Sequence, residues 1–430
     1  MADENDWQYI PLGELTENFD ALRVPVKESK RKSGPYPYYG ASGIVDWVDS
    51  YILDGEYLLV AEDGENLRTQ KTSIAFIARG RIWINNHAHV VQANHKADTR
   101  FLMYALSQAE VSAYLTGSTM PKLTQNNLNR VPILTPPLCK QRAIAHILGT
   151  LDDKIELNRK MNETLDEIAR TLFTSWFVNF DPVRAKAEGR QPEGMDAETA
   201  ALFPDRFVDS EVGEIPDGWD VQKVGEICQI AIGGDWGADE PKQGTVEVIC
   251  LRGVDLEHLR RSGHANAPRR WVKDSSLARR AVHSSDVLVG GSGAGPTGRP
   301  LWMAPHLMNV FDLPVIYSNF CKRLRCASPS VAVYLDRCLF EMRESGEIWT
   351  YVNGTSIPNL DTKLLLDTKR LLVPSSPVLD RFSTLIRLMF AKLFSDESRT
   401  LAELRDTLLP RLLSGEIQVC EAVELEGAAV

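Results

Sequence analysis

The chain has 430 residues, of which 43% are hydrophobic and 25% charged, an ordinary composition for a globular protein of two or three domains. These figures exclude a largely disordered chain or a collagen-like repeat, and the seven cysteines include no Cys-x-x-Cys pair. No run approaches the ~18 apolar residues of a membrane helix. The acidic start MADENDW lacks the features of a secretory signal, so we expect a cytoplasmic protein without a membrane partner.

The net charge of −10 is unevenly distributed along the chain. Segments 1–6, 193–217 and 416–430 together hold an excess of acidic residues larger than the net charge of the whole protein. The rest of the chain is therefore mildly basic. Overall acidity does not exclude a phosphate-binding surface on that part.

The first 137 residues contain short runs rich in β-branched and aromatic residues, bounded by Gly, Asp and Asn. These runs predict strands at 57–61, 73–78 and 81–85, followed by an amphipathic helix around 99–114. They are too short and irregularly spaced for a doubly wound parallel sheet. We therefore predict a mixed α/β module of the α+β class.

Residues 138–178 predict one long helix, because their apolar residues are spaced alternately by four and three positions. The seam consists of Ile144, Leu148, Leu151, Ile155, Asn158, Asn162, Leu165, Ala169, Leu172 and Trp176. Charged residues flank this narrow seam on both sides. The pattern predicts a single partner helix.

An acidic connector at 179–218 precedes a second copy of the first module at 219–377. Segment 7–15 resembles 219–227, and GSTMPKL at 117–123 resembles GTSIPNL at 354–360. The order of the matching segments is the same in both halves, which indicates a duplication. In the second copy, strands are predicted at 246–251, 286–289 and 315–324.

A second long helix is predicted at 378–415, before an acidic tail at 416–430. Its apolar face includes Ile386, Met389, Leu393 and Leu404. Pro410 predicts a kink or an early end. The expected architecture is two duplicated modules joined by two long antiparallel helices that form a coiled coil.

Motifs that could carry catalysis or a metal are incomplete. Gly293-Ala-Gly295-Pro-Thr-Gly298 has the spacing of a dinucleotide-binding loop, but the prolines in and after it do not permit the helix that such a loop requires. His87 and His89 lack further ligands at metal-binding spacing. The sequence therefore predicts no catalytic residue and no metal site.

Basic residues interleaved with aromatic residues occur in both copies. The first has Arg23, Lys27, Lys30, Arg31 and Lys32 before a Tyr-Pro-Tyr-Tyr-Gly run, and the second has seven arginines between 252 and 280. Such clusters suit phosphate neutralisation together with base-edge contacts. A solvated charged face is the alternative for any one cluster, but recurrence in both copies favours nucleic acid.

At this point the chain resembles a known family. The connector LFTSWFVNFDPVRAKAEG at 172–189, GMDAETAALFP at 194–204 and GEIPDGW at 213–219 are similar to the specificity subunit of type I restriction-modification systems. YGASG at 39–43 is similar to a segment common in the recognition modules of that family. The likeness covers essentially the whole chain and is most specific in the connector.

The resemblance implies a DNA-reading subunit without catalysis of its own, in which each target-recognition module reads half of a bipartite, asymmetric site in double-stranded DNA. The two long helices are expected to set the gap between the two half-sites. Two modification subunits, which methylate adenine, are expected to dock on these helices, and restriction subunits with translocase and nuclease activity join them. No cofactor is expected on this chain, since S-adenosylmethionine, ATP and Mg belong to the partner subunits.

The candidate site residues form three groups. The candidate DNA contacts of the first module are Lys30, Arg31, Tyr36, Tyr39, Ser42, Lys71, Asn86, Ser118, Thr119 and Lys122. Those of the second module are Arg252, Arg270, Ser292, Arg299, Thr355 and Asn359. The helix residues expected at partner subunits are Leu148, Leu151, Ile155, Leu165, Leu172, Ile386, Met389, Leu393 and Leu404.

Two other functions fit parts of the sequence. A coiled-coil adaptor that binds only proteins would have the same helices but no salt-dependent affinity for duplex DNA. An enzyme acting alone on DNA would need one of the motifs that are incomplete here.

Overall fold

The protein is described by a computed structural model that covers residues 7–231, 233–354, 356–393 and 397–419. It divides into two compact units, one formed by Met1–Ile155 with Arg399–Val430 and the other by Glu156–Ser398. Each unit therefore contains one module and parts of both long helices.

The elements of the first module alternate short strands with short helices. Its strands are β1 (Gln8–Pro11), β2 (Thr16–Asn18), β3 (Tyr36–Gly40), β4 (Gly43–Val48), β5 (Leu53–Ala61), β6 (Ala75–Ile84), β7 (Ala88–Ala93) and β8 (Pro132–Thr135). Its helices are α1 (Leu12–Leu15), α2 (Asn66–Thr69), α3 (Thr99–Gln108) and α4 (Gln125–Leu128), with 3-10 turns at Asp20–Leu22, Glu28–Lys30 and Ser112–Tyr114.

The main sheet of this module has the order β2-β7-β5-β6-β3-β4, and its pairs are antiparallel except for β3 with β6. The prediction of separate strands at 73–78 and 81–85 is wrong, because β6 continues through Gly80. Gly80 has a φ of +77° and lies opposite Gly55 in β5, whose φ is +151°. Glycine adopts these angles without steric cost. The β5–β6 pair therefore continues across a position that reads as a turn in the sequence.

The remaining elements follow in chain order. The first long helix is α5 (Leu138–Phe177), and the connector contains α6 (Asp181–Ala187), α7 (Ala197–Ala201), β9 (Phe207–Ser210) and β10 (Gly213–Pro216). The second module has strands β11 (Asp220–Lys223), β12 (Cys228–Ala231), β13 (Thr245–Leu251), β14 (Arg269–Lys273), β15 (Asp286–Gly290), β16 (Pro300–Trp302), β17 (Val315–Tyr317), β18 (Cys321–Cys326), β19 (Val352–Asn353), β20 (Asn359–Leu360) and β21 (Arg370–Val373). Its helices are α8 (Val224–Ile227), α9 (Gly253–Ser262), α10 (Asp274–Arg280), α11 (Pro305–Met308), α12 (Pro329–Glu344) and α13 (Thr362–Thr368), followed by α14 (Ser376–Leu393) and α15 (Glu397–Leu413).

The second module repeats the sheet of the first in two pieces. The order β12-β18-β15-β16 corresponds to β2-β7-β5-β6, and β14-β13-β17, with β13 parallel to β17, corresponds to β4-β3-β6. The equivalent of β6 is thus interrupted into β16 and β17 by a segment that contains α11. The single strand predicted at 315–324 is wrong, since residues 318–320 separate β17 from β18.

The repeated sequences at 7–15 and 219–227 close the two modules in the same way. In the first module β1 pairs antiparallel with β8, with Gln8 opposite Thr135. In the second, β11 pairs antiparallel with β21, with Asp220 opposite Val373. The first and last strands of each module therefore meet directly before a long helix begins.

The two long helices pack antiparallel within each unit. In the first unit Arg405 Nη1 lies 2.8 Å from Asp152 Oδ1, and in the second the Asn158 side chain donates to Glu397 Oε2 at 2.9 Å. Further along α5, the rings of Phe173 and Phe382 are 6.2 Å apart.

The predicted mixed fold with two antiparallel long helices is confirmed. Of the two outcomes predicted for Pro410, a kink or an early end of the helix, the early end is wrong, because α15 continues to Leu413. No helix in the described ranges has both the length and the apolarity to cross a membrane.

Candidate nucleic-acid interface

Four loops meet at one end of the first module, and we call residues 40–43, 62–65, 85–87 and 116–123 the first loop cluster. Backbone hydrogen bonds join them to one another and to the ends of the strands. They run from Asn85 N–H to Tyr39 O (3.0 Å), Glu62 N–H to His87 O (2.9 Å), Gly64 N–H to Pro121 O (3.2 Å) and Leu123 N–H to Glu62 O (2.8 Å).

The same four hydrogen bonds recur in the second module, where Arg252 and residues 291–298, 318–320 and 354–359 form the second loop cluster. They run from Ser318 N–H to Leu251 O (2.8 Å), Gly291 N–H to Phe320 O (2.7 Å), Gly293 N–H to Pro358 O (3.0 Å) and Leu360 N–H to Gly291 O (2.8 Å). Sequence similarity predicted only the repeat of 117–123 in this region. The structure extends the repeat to the loops that hold it.

Each cluster contains a tight tip loop, at 117–121 in the first module and 354–358 in the second. Gly117 has a φ of +87° and Gly354 a φ of +93°. A Cβ atom on Gly117 would lie 2.3 Å from Met120 O, and one on Gly354 would lie 2.6 Å from Ile357 O. Both the backbone angle and the close approach therefore require glycine.

The glycine-rich run 290–298 is the loop that receives the second tip loop. Gly293 donates to the tip, and a Cβ atom on Gly290 would lie 1.9 Å from Pro296 O. No helix follows the run at the position that a dinucleotide site requires. Its glycines permit close packing between loops.

A buried polar network lies beneath the first tip loop. The His89 side chain is only 1% exposed, with Nδ1 2.5 Å from Asp20 Oδ2 and Nε2 2.7 Å from the carbonyl oxygen of Leu123. Glu62 joins this group, 2.5 Å from Arg23 Nη1 and 2.9 Å from Lys122 Nζ. The loop is therefore attached to the sheet through its side chains as well as its backbone.

The two carboxylates of this network have shifted pKa values. Burial raises the pKa of Asp20, but hydrogen bonds from His89 and from the Val90 N–H outweigh burial and lower it overall. Burial likewise raises the pKa of Glu62, while hydrogen bonds from Arg23 and Lys122 bring its pKa below the ordinary value. Both groups are held as carboxylates near neutral pH.

Several predicted contacts of the first module come together in the first loop cluster. Ser42 lies in the turn between β3 and β4, Asn86 in the connection from β6 to β7, and Ser118, Thr119 and Lys122 in or beside the tip loop. Tyr39 lies at the end of β3, where its ring stacks on Phe76 at 5.9 Å and burial raises its pKa.

The other predicted contacts of this module lie elsewhere. Lys30 and Arg31 line a groove of 280 Å³ together with Trp83, and the Arg31 guanidinium lies over the Tyr38 ring at 4.5 Å. Tyr36 begins β3, and its ring lies 5.1 Å from that of Tyr51. Lys71 is exposed in the bend after α2.

In the second module the structure places two predicted contacts side by side and separates others. Ser292 and Asn359 form an isolated antiparallel bridge within the second loop cluster. Thr355 is outside the described residues. The other three residues are arginines with partners inside the module: Arg252 donates to Asp255, Arg270 lies 4.1 Å above the Trp236 ring, and Arg299 pairs with Glu257 at 2.7 Å.

Sequence reasoning missed three exposed apolar side chains of the loop clusters. Met120 and Ile357, at equivalent positions of the two tip loops, are 61% and 69% exposed. Phe320, in the second cluster, is 63% exposed. The alignment of 117–123 with 354–360 already pairs Met120 with Ile357, so the repeat itself carried the signal.

The predicted helix residues differ in their exposure. Leu148 and Ile386 are fully buried in the cores of their own units, Leu404 is exposed, and the side chain of Leu393 is outside the described part. The half-buried members of the group are Leu151, Ile155, Leu165, Leu172 and Met389. On the long helices α5 and α14, the exposed apolar residues that sequence reasoning missed are Leu157, Ile168 and Leu388.

The imidazoles of His87 and His89 have separate partners. His87 is exposed and pairs with Asp63 at 2.8 Å, whereas His89 is buried against Asp20. Among the described residues, no group of three or more His, Cys, Asp or Glu side chains is arranged to hold a metal ion.

Comparisons with known proteins match the chain in both sequence and fold. A family model described as the type I restriction modification DNA specificity domain matches residues 4–167. A putative type I restriction enzyme specificity subunit of Haemophilus influenzae is 41% identical over 151 residues, which is 35% of this chain and 39% of that protein. The MjaIX type I restriction enzyme specificity subunit of Methanocaldococcus jannaschii is 24% identical over 439 residues, covering 97% of this chain and 94% of that protein.

A solved structure is similar over almost the whole chain. The S subunit of a type I restriction-modification system from M. genitalium aligns with a TM-score of 0.59 and 15% identity, covering 96% of this chain and 97% of its own. At 15% identity this similarity supports the fold of the chain but not the role of any residue.

Proposed function

We propose that the chain, which is similar to type I restriction enzyme specificity subunits, is itself such a subunit and that each of its two modules reads one half of a bipartite, asymmetric site in double-stranded DNA. The chain itself performs no chemical step in this proposal. It supplies sequence recognition to subunits that carry the catalytic groups.

The observation that carries the proposal is the loop cluster repeated in both modules. The four backbone hydrogen bonds are conserved in pattern between the two copies, while the exposed side chains differ: His87 corresponds to Phe320, Met120 to Ile357 and Lys122 to Asn359. A constant frame with variable side chains suits two readers of different half-sites, because base readout depends on which groups face the groove.

Phosphate contacts are proposed for the basic groove at Lys30 and Arg31 and for Lys122 at the tip loop. Lys122 Nζ is paired with Glu62, and in the second module both members of the pair are replaced, by Asn359 and Gly291. The Lys122 side chain is nevertheless half exposed. We expect Lys122→Ala to weaken binding to all duplexes and to reduce the salt slope by ~1; an unchanged slope would assign Lys122 to the internal pair alone.

The partners proposed for the helices are two modification subunits, with restriction subunits joining the larger complex. The exposed apolar side chains of Leu157, Ile168 and Leu388 on α5 and α14 are the candidates for these contacts, since exposed apolar groups on helices suit burial at an interface. In this proposal S-adenosylmethionine, ATP and Mg bind to the partner subunits, and the complex acts in the cytoplasm.

The decisive experiment maps N6-methyladenine in cells that carry this chain with its modification subunit. The expected result is methylation at one bipartite sequence. Replacing residues 1–137 with the same region of a relative should then change one half-site only. No sequence-specific methylation, together with no salt-dependent duplex binding by the purified complex, would contradict DNA recognition and favour a protein-binding adaptor.

A further inference from the structure

Met120 and Ile357 occupy the same position in the two tip loops, three residues after the glycine that sets each turn. Each is the only large apolar side chain of its tip loop apart from proline, and both are mostly exposed. Exposed apolar residues are common singly on protein surfaces. Recurrence at an equivalent, tightly held position in two modules of different sequence indicates a shared contact.

Backbone contacts fix the positions from which these two side chains project. Pro121 and Leu123 are buried on one side of Met120, and their backbone hydrogen bonds attach the loop to residues 62–64. In the second module Pro358 and Leu360 make the matching bonds to residues 291–293. Such a frame positions a side chain without the entropic cost of ordering a mobile loop on binding.

The neighbours of the two side chains are small or polar groups suited to a groove of DNA. Ser118 and Thr119 are exposed beside Met120, and Ser356 is exposed beside Ile357. Hydroxyl groups can contact any base edge in the major groove, whereas an apolar side chain there discriminates in favour of the thymine C5-methyl group.

We propose that Met120 and Ile357 make apolar contacts with base edges in the major groove, each in the half-site of its own module, with a thymine methyl group as the partner. The proposal rests on the proposed function and names the side chains that would carry part of the readout. In this proposal the two modules make the same kind of contact through the equivalent residue of each tip loop.

The test uses the complex of this chain with its modification subunit and a duplex that carries the methylated sequence mapped in cells. Each thymine of the two half-sites is replaced in turn by uracil, which removes only the C5-methyl group. We expect that replacing thymine by uracil at one position in each half-site lowers the affinity of the unaltered complex for the duplex about fourfold, the effect of one buried methyl group. Met120→Ala should abolish this sensitivity in one half-site and Ile357→Ala in the other.

Two control variants remove exposed side chains outside the loop clusters. Tyr9→Ala in β1 and Leu364→Ala in α13 should leave the uracil sensitivity of both half-sites unchanged, because neither residue lies in a loop cluster. Unaltered thermal unfolding of the Met120 and Ile357 variants would confirm that the tip loops still fold.

The proposal is overturned if the uracil effects persist in the Met120 and Ile357 variants, or if no thymine is sensitive in either half-site. It is also overturned if the variants lose affinity for the modification subunit and keep the uracil effects, which would make the tips subunit contacts. A failure of the proposed function looks different, because the unaltered complex would then show no sequence-specific binding at all.

Discussion

His89 Nε2 lies 2.7 Å from the carbonyl oxygen of Leu123, two residues after the first tip loop. Its other ring nitrogen lies 2.5 Å from a carboxylate oxygen of Asp20. Both partners of the imidazole, a carboxylate and a carbonyl oxygen, are hydrogen-bond acceptors. A single buried side chain thus joins β7, the 3-10 turn at Asp20–Leu22 and the tip loop.

We predict that His89→Leu destabilises the first module by about 3 kcal/mol, because it leaves the Asp20 carboxylate and the Leu123 carbonyl without this donor inside the protein. Hydrogen exchange measured on peptides should show lost protection in 88–93 and 116–123. His87→Leu is the matched control: His87 pairs with Asp63 at the surface, and its loss should cost less than about 1 kcal/mol. Equal effects of the two variants would contradict the role of the buried imidazole.

The stability of the first module should fall with acidification. Asp20 and Glu62 have folded-state pKa values below their ordinary values of 3.8 and 4.5. The folded protein therefore binds protons less readily than the unfolded chain at these two groups. Their stabilising contribution is complete above about pH 5 and is lost as the pH falls through the lowered values.

Urea unfolding measured at several pH values checks this prediction. The unfolding free energy should decrease between about pH 5 and pH 3, and Asp20→Asn should make that decrease smaller. Asp63→Asn, which removes the surface pair with His87, serves as the control. The unfolding free energy of this variant should depend on pH as it does in the unaltered chain. An unaltered pH dependence in Asp20→Asn would show that other carboxylates cause the loss.

The features predicted correctly from the sequence are those with a local period or a direct repeat. The alternation of apolar residues at spacings of four and three gave α5, which the structure bounds at Leu138–Phe177. The similarity between 7–15 and 219–227 predicted a duplication, and the structure places β1 and β11 at equivalent positions of the two modules. Both signals depend only on residues near one another in the chain or on copies of one segment.

The features that the sequence did not reveal depend on contacts between distant segments. Gly80 reads as a turn, yet β6 continues through it because Gly55 bends at the opposing position. The contact of His89 with Asp20 joins residues 69 positions apart. Sequence similarity pairs Lys122 with Asn359, but only the structure pairs Gly291 with Glu62, the acidic partner of the lysine.

Alanine in place of the first glycine of either tip loop should destabilise its module by about 2 kcal/mol. Gly117 and Gly354 both have a positive φ, and an added Cβ atom would lie within 2.3 Å and 2.6 Å of a backbone oxygen. Gly295→Ala is the matched control, because a Cβ atom there has no atom within 4 Å and the backbone angle is not in the left-handed region. Thermal unfolding measures the three variants, and a cost for Gly295→Ala equal to the others would contradict this account.

The last prediction concerns the long helices as the element that sets the gap between half-sites. Asn158 is buried on the seam and its amide donates to Glu397 Oε2 and Ser398 Oγ, which fixes the pairing of α5 with the start of α15. Four residues inserted into α5 after Lys160 add ~6 Å of helix, the length of about two base pairs. Four matching residues between α14 and α15 keep the antiparallel partners in step.

We expect the double insertion to preserve both half-site sequences and to widen the gap between them by about two base pairs, because four residues are close to one helical turn and keep the apolar face in phase. Methylation mapping measures both quantities at once. Four residues inserted at Val212, which is exposed between β9 and β10, lengthen a hairpin and should leave the gap unchanged. An active complex with the double insertion and an unaltered gap would show that the helices do not set it.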